Sequence, residues 1–154
     1  MSEVLKIILN SILPSVLLFI LYKFFEEFIL KPYLEYKKIL AKVDHYLKFY
    51  NNIIFNINPP NRIKAYEPLP EDWIKAKETF RNLSCELESH YKSMICKLFL
   101  PKKENIYTSI KDLMILSNII GIANDYKGNY QEKAIRLEEE IRRCLKIPQI
   151  NNEK

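Results

Sequence analysis

With 154 residues, 48% of them hydrophobic and 28% charged, the chain is long enough for one globular core and too short for two. The composition excludes collagen-like, linker-like and strongly disordered classes, and two glycines, Gly121 and Gly128, leave little material for tight β-hairpins. A formal charge of +5 admits nucleic acid, an acidic partner or a membrane surface, so its distribution along the chain must decide.

Residues 7–22 carry no charge, and eleven of the sixteen are Ile, Leu, Val or Phe. The run is apolar on every side, whereas a surface helix keeps a polar face. At ~1.5 Å per residue it spans ~24 Å, and Lys6 and Lys23 can snorkel to lengthen it. The expectation is an uncleaved transmembrane anchor over 1–31, with Ile7, Leu13, Leu17, Phe19, Leu21 and Tyr22 among its lipid-facing residues. A buried or interfacial soluble helix and a cleaved signal peptide are the competing readings. The latter lacks a strongly basic start and a small-residue cleavage site.

Charge is balanced over 1–32, reaches +4 over 33–64 and falls to +1 over the remainder. A basic stretch directly after an apolar one is the pattern of a cytoplasmic juxtamembrane segment. Lys23, Lys31, Lys37, Lys38 and Lys42 are therefore candidate contacts for anionic lipid. With one lysine before the run and many after it, the expected placement is the cell membrane, single-pass, N-terminus outside and the bulk cytoplasmic.

After Pro32, the residues Tyr36, Leu40, Val43, Leu47, Tyr50 and Ile54 recur every three or four positions, with Ile39, Tyr46 and Ile53 widening the stripe. Asn58-Pro59-Pro60-Asn61, Pro68 and Pro70 form a connection that cannot be regular helix. Pro70, followed by Glu71 and Asp72, opens a second helix along Trp73, Ala76, Phe80, Leu83, Leu87, Tyr91, Met94 and Leu98, which Pro101 ends. A third, from about 103 to 123, buries Ile106, Ile110, Leu113, Leu116 or Ser117, and Ile120, and frays at Gly121 and Asn124-Asp125. The last uses Ala134, Leu137, Ile141, Cys144 and Leu145, with Glu138, Glu139, Glu140, Arg142 and Arg143 toward solvent, and Pro148 stops it. The expected fold is all-α: an N-terminal transmembrane helix, an antiparallel helical bundle over 32–147, and a flexible tail over 148–154. The many prolines interrupt a coiled-coil rod, the alternative.

Signals for chemistry are few. Cys85, Cys96 and Cys144 have no metal or disulfide spacing and are assigned to packing. Cys85 and His90 point about 140° apart on a helix, a poor nucleophile and base. Glu86 and His90 share a face, yet two ligands make no metal site, so the expected role is a solvent-facing pair. His45 reads as a surface residue. No phosphate-binding glycine loop can be assembled, and no cofactor is expected. Lysines interleaved with Tyr33, Tyr36, Tyr46, Phe49 and Tyr50 resemble a nucleic-acid platform, but those aromatics mostly fall on the apolar stripe, and lipid accounts for the charge. Arg81, Ser84, Glu86, His90, Ser117 and Asn118 interrupt or flank apolar turns and form a possible interhelix polar site.

The strings Arg81-Asn82-Leu83-Ser84-Cys85-Glu86-Leu87 and Leu113-Met114-Ile115-Leu116-Ser117-Asn118 resemble a pattern in small prokaryotic proteins with one N-terminal membrane span. The chain departs from it where Lys102 and Lys103, not a serine, follow Pro101. The resemblance implies a membrane-attached helical domain and carries over no catalytic residue. The expected partners are membrane lipid and a protein or a second copy of the chain, serving interaction or complex assembly. A membrane-associated enzyme or small-ligand receptor with a site between helices is the alternative, and a pore former is disfavoured because the apolar run lacks a polar stripe.

Overall fold

The computed structural model describes residues 3–57, 68–122 and 129–148, with side chains from Ile12 onward. The elements are α1 (Glu3–Phe25), a π-helical turn (Glu26–Leu30), α2 (Lys31–Phe49), α3 (Asn51–Phe55), α4 (Glu71–Ser93), α5 (Lys103–Ile119) and α6 (Tyr130–Leu145). Among the described residues there is no strand, so the fold is all-helical and bundle-like. The connection at 58–67, the Asn124-Asp125 helix end, Gly128 and the tail from 149 lie outside the described residues.

The backbone is helical without a break from Glu3 to Phe49. Pro32 has no N–H, and its ring would crowd the carbonyl four residues back, that of Phe28. The chain widens by one residue per turn just before it, and the Lys31 N–H reaches back five residues to the Glu26 carbonyl.

From α2 onward the expected stripes are largely the core. Tyr36, Ile39, Val43, Leu47, Tyr50, Ile53 and Ile54 are buried, and Leu40 and Tyr46 are half-buried against them. From α4, Ala76, Phe80, Leu83, Leu87 and Tyr91 meet Ile106, Ile110, Leu113 and Leu116 of α5, and Ala134, Ile141 and Leu145 of α6 close the set. α4 packs on α2 and α5, and α6 packs on α5 and α3. Gly121 adopts φ +80°, where its N–H donates to the Ile57 carbonyl at 2.9 Å and an added Cβ would run into Leu69. The Trp73 indole N–H donates to the same carbonyl at 3.2 Å, so one acceptor holds the starts of two connections.

Local chemistry sets the ends. The Asn129 side chain accepts from the Glu132 N–H at 3.1 Å and starts α6 as an N-cap. Lys146 turns left-handed after it, and the Ile147 N–H closes on the Arg142 carbonyl at 2.9 Å. Pro70 is the residue before α4 rather than its first. α4 stops at Ser93, well short of Pro101: the Ser93 hydroxyl donates to the His90 carbonyl, and Met94 leaves in an extended conformation with its side chain buried in the core. Leu98, expected on the buried stripe, is consequently 83% exposed.

Two further expectations are overturned. Among the described residues, no helix is long and apolar enough to cross a membrane. Within α1, the uncharged run at 7–22 rises ~24 Å before Lys23, short of a hydrocarbon thickness of ~30 Å. Beyond it, Lys23 pairs with Glu26 at 2.7 Å and Lys31 pairs with Glu27. The anchor expected at Leu13, Leu17, Phe19, Leu21 and Tyr22, the single-pass placement and the outward N-terminus are corrected accordingly; the Ile7 side chain lies outside the described set.

The second correction concerns α6. Glu138 and Arg142 do not face solvent but lie inside, where the Arg142 Nε donates to Glu138 at 2.7 Å and its Nη1 donates to Asp44 of α2 at 2.8 Å and to the Pro148 carbonyl at 3.1 Å. The guanidinium fork has three acceptors within reach only at the junction of α2 and α6, which outweighs the helix's tendency to turn charge outward.

Candidate functional site

The expected interhelix polar residues do not converge. On one side of α4, the Arg81 Nη2 donates to the Asn118 side-chain oxygen at 3.0 Å, and the buried Ser84 hydroxyl donates to the Ile110 carbonyl at 2.8 Å, so both tie α4 to α5. Ser117 is buried and donates to the Met114 carbonyl of its own helix. Glu86 and His90 lie on another side, toward α2. Lys42 donates to Glu86 at 2.5 Å, and the His90 Nε2 sits 2.9 Å from the Pro32 carbonyl. Neither is the freely solvated residue the sequence suggests, because α2 supplies partners fifty or so positions away.

Between α2 and α4 these side chains line an open cleft of about 450 Å³, formed by Glu35, Lys38, Ile39 and Lys42 opposite Glu86, Ser89, His90 and Ser93. Glu35, Lys42, Glu86 and His90 engage one another within it. The His90 Nδ1 is 3.8 Å from Glu35, Lys42 holds Glu86, and the Ser93 hydroxyl is directed to the His90 carbonyl rather than to the ring. A nucleophile relay needs a hydroxyl or thiol on the imidazole, and none is there. Among the described residues, no group of three or more His, Cys, Asp or Glu side chains is placed to hold a metal ion.

The other reactive groups are similarly quiet. Cys144 is buried and donates to Glu140 at 3.3 Å; burial, then that carboxylate, push its thiol above the ordinary range, away from the reactive thiolate. Cys85 is exposed, Cys96 is half-buried, and all three cysteines are free. His45 is exposed and stacks on Phe49. Asp112 is buried on α5, with Oδ2 lacking a hydrogen-bond partner; burial, then the charge of Glu140, hold its carboxyl above the usual carboxylate range. For an acid, a raised folded value means the folded state binds the proton more tightly, so stability falls as pH rises from the unfolded value and stays reduced above the folded one. Asp112→Asn is expected to raise the melting temperature at pH 7 and to leave it unchanged near pH 3; a lower melting temperature at pH 7 would show that the carboxylate has a favourable partner.

The surfaces carry more information than the cleft. Every side chain over 12–25 is exposed, including eleven large apolar ones. The lysines expected to meet anionic lipid are in mixed states: Lys23, Lys31 and Lys42 are paired with carboxylates, Lys37 lies over the Tyr33 ring at 5.7 Å, and Lys38 borders the cleft. Sequence reasoning missed a second apolar surface, Ile95, Leu98 and Phe99, in the loop between α4 and α5. No protein-family model, curated protein or solved structure matches the chain.

Proposed function

We propose that the protein is a helical interaction and assembly module, in which α1 is the contact element and the bundle from α2 to α6 is the body that presents it. The observation that supports this is the unbroken apolar girdle of α1. Val16, Leu17, Leu18, Phe19, Ile20, Leu21 and Tyr22 are consecutive and all exposed, so at 100° per residue they pass round almost two full turns and leave no polar azimuth. With aromatic side chains of ~150–250 Å² as the scale, eleven half-exposed apolar groups amount to on the order of 1,000 Å². Monomers seldom leave contiguous apolar patches beyond a few hundred Å² uncovered, and a stable interface needs ~800 Å² per partner.

The occupant is further copies of the same helix. One neighbouring helix covers one side only, so a helix apolar on every side calls for several copies packed against one another, each covering a different face of its neighbours. The base of α1 is compatible with that packing, because Lys23–Glu26 and Lys31–Glu27 neutralise each other within the chain and present no like-charge clash between copies. A site between helices is the weaker reading, since the polar residues it would require are split between two sides of α4.

Sedimentation velocity of the full chain tests this. The wild type is expected to sediment at three or more times its 18.4 kDa mass, and Leu17→Glu/Leu21→Glu as a monomer with an unchanged far-UV circular dichroism spectrum. A monomeric wild type, or a variant that associates as strongly, would discard the proposal.

A further inference from the structure

We propose that the loop over 94–102 is a docking tip for an anionic lipid surface. It rests on residues remote in sequence from the α1 girdle and is independent of the assembly reading. Ile95, Leu98 and Phe99 are 76, 83 and 65% exposed, whereas Met94 is buried and Leu100 is half-buried against the core. The Leu100 N–H also closes a turn on the Lys97 carbonyl at 3.2 Å. The apolar tip is thus held out on a fixed foot, so presenting it requires no ordering of the loop.

Cations surround the tip without carboxylate partners. The sequence from 89 to 103 contains no Asp or Glu. Among the described residues, no carboxylate lies within ion-pair distance of Lys97, Lys102 or Lys103, in contrast to Lys92, which pairs with Glu88 at 2.6 Å. The Lys97 Nζ stands 4.6 Å over the Tyr91 ring, and the Lys103 Nζ stands 5.8 Å over Tyr107, so two of the three are set by aromatic faces that leave the ammonium groups open. Phe99 meets the Tyr33 ring edge-on at 6.0 Å, and the Lys37 Nζ stands 5.7 Å over that same Tyr33 ring, which extends the basic border onto α2.

A tip in which Ile95 and Leu98 stand furthest out, with the Phe99 ring set against Tyr33, and uncompensated cations together select the partner. Leucine and isoleucine side chains gain from hydrocarbon and gain little from stacking on bases, and an ammonium border matches lipid phosphates at the depth where the tip enters the acyl boundary. The contact is peripheral: the loop rests in one face of the lipid, and among the described residues no helix is long and apolar enough to cross it.

Flotation of the full-length protein with vesicles of phosphatidylcholine alone, or with one-third phosphatidylglycerol, tests the assignment. Binding to the anionic vesicles is expected to be roughly tenfold to a hundredfold tighter than to neutral ones, from three lysines near the surface. Lys97→Gln/Lys102→Gln/Lys103→Gln should abolish that preference, and Leu98→Asp/Phe99→Asp should lower binding to anionic vesicles to the neutral level. Leu17→Glu/Leu21→Glu should keep the preference, which separates this result from the fate of the assembly reading. Equal binding to both vesicles, loop variants that bind as the wild type does, or a preference lost only with the α1 variant would each overturn it.

Discussion

Arg142→Ala is expected to destabilise the protein by about 3–5 kcal/mol, read as a shift of the urea unfolding midpoint at unchanged slope. The side chain is 2% exposed and spans α6, α2 and the segment after α6 through Glu138, Asp44 and the Pro148 carbonyl. Removing it leaves Glu138, itself 8% exposed, as a buried carboxylate without its cation. The loss exceeds the worth of the network because such a group has shed its water and then lost its partner. Arg142→Met/Glu138→Leu, which removes both charges at similar volume, should therefore recover most of the deficit. A double variant as unstable as the single one would show that the ion pair itself stabilises the bundle.

The same residue gives the protein an acid limb. Burial alone would raise the Asp44 carboxyl, and is the largest single influence, but hydrogen bonds from Lys48 and Arg142 and their charges together hold it below the ordinary range. A depressed acid contributes stability that is complete above its unfolded value, near 3.9, and is lost as pH falls through the folded value. Unfolding measured from pH 5 to pH 2 should fall steeply in the wild type and more gently in Arg142→Ala, where Lys48 at 2.7 Å remains the only close cation of the described set. Parallel curves would remove Asp44 from the acid response.

The second large effect is Phe80→Ala, for which a loss of about 3–5 kcal/mol is expected from the same unfolding measurement. Phe80 is fully buried, at the heart of the α4 face, and its ring meets that of Tyr50 edge-on at 5.9 Å. Truncation empties a site whose neighbours come from separate helices and are held by their own contacts, so the cavity closes only in part. Phe80→Leu should cost less than half as much. A small loss on truncation to alanine would mean that α2 and α4 can slide together to refill the space.

The bundle was legible in the sequence because its periodicity is strong. Tyr36, Val43, Leu47 and Ile54, or Ala76, Phe80, Leu83 and Leu87, can satisfy a period of 3.6 only by facing one core, and they do. Misreadings arose where periodicity continues past the element that it appears to describe. Leu98 falls in phase with Leu87, Tyr91 and Met94, but the helix has ended at Ser93, so the spacing carries no meaning there. At α6, Ala134, Glu138, Arg142 and Leu145 also stand three or four apart, and this spacing was the available sign that two charges share the buried side. The rule that Glu and Arg face water points the other way, and it holds only until partners such as Asp44 are supplied from elsewhere in the chain. Contacts of that kind, and His90 against the Pro32 carbonyl, join positions far apart in sequence, and local spacing is blind to them.

The widened turn at Glu26–Leu30 bears on what α1 can tolerate. One surplus residue in the coil advances everything on its far side by ~100° relative to the stripe of α2, so α1 meets the core face at a fixed offset from the bearing a regular helix would give it. For an amphipathic arm such a twist would be ruinous, since it would swing the greasy side into water. An arm that is greasy at every compass point is indifferent to rotation. Its reach, rather than its orientation, is then the quantity under physical constraint, and single-residue insertions or deletions near the turn would rotate the arm without changing what it offers.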